Sequence, residues 1–198
     1  MKRLITICFL FISVTAAVAQ NNVWSAGPEV GITLSKYGMD ANHNDHVQGL
    51  SAGVFFTYSV INTFALTTKF LYAEKGADLG GHDEILKYIE VPITGRFFLT
   101  KEGRFRPNFF IGPYFGFLRS VSVRTGNDDP VKIPEFDTIY NTYDLGVTGG
   151  VGLNYLVARN TRILLDVRYS HGLTDLVKAP GQVSNDVMSA SFGMSFGI

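Results

Sequence analysis

Eight ionisable side chains, Glu29, Lys69, Glu90, Arg96, Asp144, Arg162, Asp166 and Arg168, sit where a period-two reading of their segments turns them to one face of a sheet. Four are acids and four are bases, so together they can neutralise one another as a buried ionic network. With their charges unpaired, Glu90, Arg96, Asp166 and Arg168 would line a conducting path. Histidines suggest other chemistry. His43, Asp45 and His46 in ANHNDH combine imidazole and carboxylate, which suits zinc or copper, and His82 with Asp83 in GGHDE repeats the combination. Both stretches are polar and read first as solvated loops. His171, Ser170 and Asp175 supply the residue types of a hydrolase triad. Adjacent strand residues point to opposite faces, however, so Ser170 cannot serve His171 and another serine would be needed. The crowded glycines of 146–152 do not make a phosphate loop, because no helix follows them and no lysine is placed for phosphate. We therefore expect no catalytic residue, no metal site and no cofactor, and take the eight charges as the candidate site.

Composition narrows what can carry those charges. Of 198 residues only 17% are charged, well under the roughly 25% of an ordinary soluble domain, while 46% are hydrophobic and 21 are glycine. Seventeen basic residues balance seventeen acidic ones without clustering, which gives a phosphate backbone nothing to hold and argues against nucleic acid as a partner. The apolar content also argues against disorder.

Residues 1–19 read as a cleaved signal peptide: Lys2 and Arg3, an apolar stretch from Leu4 to Val14, then the small-x-small Ala17-Val18-Ala19. The apolar stretch is too short to span a bilayer as a helix. Cys8 lies within it, so processing would leave a chain without a thiol and, with Lys2 and Arg3 lost, a net charge of about −2. Residues 20–198 form one domain.

In that domain no apolar run exceeds four residues, yet mean hydropathy is +0.15. Alternation resolves the difference. In 186–198 the even positions include Met188, Phe192, Met194, Phe196 and Ile198, and the odd ones are mostly serine and glycine. Seven more segments split the same way, among them Val30, Ile32 and Leu34 against Glu29, Gly31 and Thr33. Phe55, Phe110 and Tyr114 break the polar face as bulges or register shifts would.

Alternation alone fits a soluble barrel, apolar inside, or a membrane barrel, apolar outside. Three features choose the second. The segments run to about 10–15 residues, longer than typical soluble strands. Connections alternate between long (37–46, 74–84, 120–139, 172–185) and short (59–62, 100–104, 157–160), as external loops and periplasmic turns do. Aromatics gather at segment ends, with Trp24, Tyr58, Phe64, Phe97 and Tyr155 at one and Tyr72, Phe117, Tyr143 and Tyr169 at the other, as two interfacial girdles would. The fold expected is all-β, an eight-stranded antiparallel up-and-down transmembrane β-barrel with both termini in the periplasm. A barrel that small is filled by its own side chains.

The strings KYIEVPITGRFFL (87–99), FFIGPYFGFL (109–118), YDLGVTGGVGLNY (143–155) and RYSHGLTDL (168–176), with the ending SASFGMSFGI, resemble the PorT-like outer-membrane β-barrel family over nearly all of the mature chain. The resemblance implies an outer-membrane location and insertion by the barrel-assembly machinery. The C-terminal strand would be its recognition signal, although it ends in Ile198 where such signals usually carry an aromatic. It supplies no catalytic motif. The partners expected are outer-membrane lipid, the assembly machinery, and a protein or surface ligand at the four long loops. The function expected is structural or loop-mediated, with a narrow, charge-filled lumen; a small channel and a lipid-modifying enzyme are the alternatives.

Overall fold

Strict alternation demands a sheet, and a sheet whose oily face meets lipid must leave no backbone edge unpaired. The computed structural model, which describes residues 23–38, 45–126, 128–178 and 183–198, meets that demand by closure. Its strands are β1 (Trp24–Gly38), β2 (Asp45–Ile61), β3 (Phe64–Asp78), β4 (His82–Phe98), β5 (Phe105–Thr125), β6 (Val131–Lys132), β7 (Tyr143–Ala158), β8 (Thr161–Gly172) and β9 (Ser184–Gly197). All pair antiparallel, and β1 joins both β2 and β9, so eight of them form a closed up-and-down barrel. The two-residue β6 folds back on the outer end of β5, which pairs onward with β7. The leader with Cys8, His43 and the side chain of Asp45 lie outside the described residues.

The two faces are inverted relative to a water-soluble barrel. Val30, Ile32, Leu34, Phe56, Phe70, Ile111, Val151, Leu165 and Phe192 point outward and are exposed, while Glu29, Thr33, Thr67, Lys69 and Ser189 are buried within. Aromatics cluster at the short-turn end: the rings of Trp24 and Tyr58 lie 4.6 Å apart, and Phe97 packs between Phe64 at 4.8 Å and Phe109 at 5.1 Å. At the other end Phe117 and Tyr143 are register partners.

Phe55, Phe110 and Tyr114 mark neither bulges nor slips. The register runs unbroken through Phe55 opposite Gly27, and all three rings turn inward and are essentially sealed from solvent. They fill the lumen. The actual irregularity in β5 falls at Arg119, between the pairs Tyr88–Leu118 and Lys87–Ser120.

The barrel is taller at the long-loop end than expected. The 74–84 loop is strand except for Leu79, Gly80 and Gly81, and β5 continues to Thr125 in what was expected to be the 120–139 loop. The reason is that alternation continues past the aromatic ring with a less oily outer face: Ala73, Lys75 and Ala77 point inward from β3, and Glu84, Leu86 and Tyr88 from β4. Outside, Glu74 meets Tyr72 and Lys87.

Candidate functional site

Inward positions on β1, β3, β4 and β8 bring Glu29, Lys69, Arg96 and Asp166 together across the lumen. The Lys69 ammonium donates to both Glu29 oxygens, at 2.6 and 2.9 Å, and to Asp166 at 3.1 Å. Arg96 grips Asp166 with two parallel bonds of 2.9 and 2.7 Å and gives a third, 2.7 Å, to Asn108. This bidentate fork is the strong form of the interaction. A second quartet joins Lys75, Glu90, Asp144 and Arg168. Lys75 reaches Glu90 at 2.8 Å and Asp144 at 3.3 Å, while Arg168 approaches Glu90 at 3.4 Å and donates to Ser189. Each quartet has two acids and two bases, so each is electrically neutral.

Aromatic and amide groups complete the packing. The Arg96 guanidinium lies 4.6 Å from the centre of the Phe110 ring, and Lys75 lies 4.5 Å from Tyr114 and 5.0 Å from Tyr88, where ring quadrupoles favour cations. Tyr114 and Asn185 donate to Asp144, adding to the donors around its buried carboxylate. Space for these groups comes from glycines of β7. A Cβ at Gly152 would meet Asp166, Asn108 and Arg96, and one at Gly150 would meet the Phe110 ring. The glycine-rich run is therefore the wall against which the plug is set.

Of the eight residues singled out in the sequence, Glu29, Lys69, Arg96 and Asp166 share one quartet and Glu90, Asp144 and Arg168 the other. Arg162 joins neither. It sits half-buried at the short-turn mouth, beyond reach of the carboxylates, because it is the second residue of β8. Lys75 supplies the second base of the second quartet. Its position in an expected loop hid it, yet Lys69, Leu71, Ala73, Lys75 and Ala77 share one parity and continued alternation would have found it.

At the long-loop end the lumen is filled by apolar groups. Tyr37, Ala77, Leu86, Tyr88, Leu118 and Val121 from the strands pack with Tyr140, Leu176 and Val183 from the connections, and Ile133, Phe136 and Val177 pack against them. The connections after β5 and β8 are fastened together by the Tyr140–Val177 bridge and by bonds from Asn141 N–H to the Leu176 carbonyl and from Lys178 N–H to that of Ile139. Burial, with the Glu84 carboxylate alongside, raises the pKa of the Tyr140 hydroxyl. The expected 120–139 and 172–185 surface loops are thus partly turned inward as a cap.

The remaining candidates stay apart. Ser170 faces the lumen and donates to Thr148, His171 pairs outside with Asp186 at 2.6 Å, and Asp175 is exposed in the following connection. His82 contacts Thr125, and Asp83 forms an ion pair with Arg124.

Residues 18–178 match the family model described as outer membrane protein beta-barrel domain. No match was found among curated protein sequences. Among solved structures, Neisserial surface protein A (NspA) is similar at TM-score 0.56 and 14% identity, covering 88% of this chain and 97% of that one. Ail, the attachment invasion locus protein of Yersinia pestis, is similar at 0.50 and 14%, covering 87% and 98%. OprG from Pseudomonas aeruginosa is similar at 0.50 and 12%, covering 87% and 94%. At these identities the likeness is one of fold.

Proposed function

Because this chain belongs to the outer membrane protein beta-barrel domain family and is an outer-membrane barrel, we propose that it works as a non-conducting, non-enzymatic barrel whose role is structural or carried by its external connections. The observation that carries this reading is the pair of neutral quartets stacked across the lumen. Ions crossing would have to break charge-assisted bonds buried on all sides, and the apolar cap adds a second, uncharged barrier. On this reading residues 1–19 are removed on export, β9 with its terminal Phe196-Gly197-Ile198 engages the barrel-assembly machinery, and the resemblance of the strings from 87 to 198 supports kinship with PorT-like barrels. A protein or surface ligand meets the molecule at the outer face of its long-loop end.

Single-channel recording of the refolded mature protein in a planar bilayer tests the reading. Silence from folded wild type is the result expected, with openings in an Arg96→Ala/Arg168→Ala variant, which removes one cation from each quartet. Steady openings in wild type would overturn it and make the protein a small channel.

A further inference from the structure

The charge balance of the lumen fails at the short-turn end. There a cavity of about 160 Å³ is lined by Arg106, Arg159 and Arg162, by the hydroxyls of Thr57 and Ser195, and by Asn154. Arg96 also borders it, but that guanidinium is already committed to Asp166 and Asn108. Among the described residues no acidic side chain lines the cavity and no ion pair reaches Arg106 or Arg162. Lys101 and Arg104 in the adjoining turn raise the local positive charge further, against Glu102 alone.

The guanidiniums are held in place yet under-used. Arg106 stacks on Phe98, 4.0 Å from the ring centre, and its terminal nitrogen donates to the carbonyls of Asn62 and Thr100. Its Nε, and Nη1 of Arg162, are sealed from solvent with no hydrogen-bond partner. A buried donor left unmade is costly, more so on a charged group, and two such groups beside one cavity also repel. An oxyanion in the cavity offsets that repulsion, because phosphate and carboxylate oxygens accept from the guanidinium N–H groups that face it.

We infer that the periplasmic mouth of this barrel is a binding site for a small oxyanion, a phosphate or carboxylate group, held by Arg106 and Arg162 with Arg159 and the hydroxyls of Thr57 and Ser195 around it. The cavity takes an anionic head group and shares Arg106 and Arg162 with a second, more open one, so the group is either a free ion or the terminus of a larger periplasmic molecule. This goes beyond the proposed function and is independent of whether the lumen conducts.

The test is calorimetric titration of the refolded protein in uncharged detergent, at low ionic strength, with inorganic phosphate in one arm and acetate in the other. Saturable one-site binding is expected, weakened at least tenfold in Arg106→Gln and in Arg162→Gln. It should be unchanged in Arg124→Gln, whose arginine lies at the far end and is paired with Asp83. Tighter phosphate binding assigns a phosphoryl head, and tighter or equal acetate binding a carboxylate. No saturable binding of either ion, or binding undiminished in both glutamine variants, overturns the inference. Heat-modifiable mobility in detergent gels verifies that each variant is folded. Should the glutamine variants fail to fold, arginine side-chain NMR of wild type decides: phosphate must shift the Arg106 and Arg162 Nε–H signals and leave that of Arg124 in place.

Discussion

At mid-barrel the lumen is packed by Lys69, Arg96, Glu29 and Asp166 and, stacked with them, by Lys75, Glu90, Asp144 and Arg168; at the long-loop end it is packed by Leu86, Leu118, Val121, Tyr140 and Leu176. Both regions exclude water, by opposite means. The ionic layer is directional and each quartet is tied to four strands at once, so it tolerates little change in strand register or in the number of charges. The apolar cap is non-directional, and part of it comes from connections that can open without dismantling the sheet. The difference teaches that the centre is held by bonds between strands, whereas the long-loop end is closed in part by connections that lie outside the sheet.

Breaking the central layer is expected to have the largest effect. Asp166→Ala leaves Arg96 without a carboxylate and Lys69 with Glu29 alone, and loss of one partner of a buried pair costs about 3–5 kcal/mol. Urea-dependent refolding into lipid vesicles reads it as a lowered midpoint. Leu176→Ala takes a buried side chain from the cap, a local cost of about 2–5 kcal/mol. The comparison predicts that this cost appears as faster proteolysis within 126–142 and 173–183, with the barrel itself still resistant. Cleavage and barrel loss occurring together would show that cap and centre are one cooperative unit. Gly152→Ala pushes a methyl into the Asp166–Arg96–Asn108 cluster, and overpacking of this kind costs about 1–3 kcal/mol in the same refolding assay. Smallest is Arg124→Ala at the rim: its ion pair with Asp83 is partly exposed, so less than about 1 kcal/mol is expected.

The centre was far more legible in the sequence than either end. Period-two alternation names the inward charges wherever strand pattern is recognised, and lipid exposure forces that pattern to be clean over the membrane-spanning part. Above it the constraint relaxes. Glu74 and Lys87 can stand on the outer face because water is there, and the reading lost the strand and Lys75 with it. The cap is harder still. Ile133, Phe136, Tyr140, Leu176 and Val183 follow no period, since they are brought together by the folding-back of two connections and not by one element's geometry. Arg162 failed for the opposite reason: its parity placed it on the inner face, but parity says nothing of height along the barrel axis, and it faces the mouth. Phe110 and Tyr114 look like errors of pattern until the ring faces are seen beneath the cations that need them, Lys69 and Arg96 at Phe110 and Lys75 at Tyr114.

The Glu29, Lys69, Arg96 and Asp166 contacts span 40, 70 and 97 residues of chain, and Asp166 lies on the strand next to last. Until β8 is delivered, Lys69 and Arg96 have only Glu29 to answer them, and a half-built sheet must keep that part of its inner wall hydrated. Each quartet thus becomes neutral only once β8 is in place. An export intermediate stalled before β8 would remain wet inside and unlatched. The quartet in this sense reports to the rest of the molecule that the last strands have arrived.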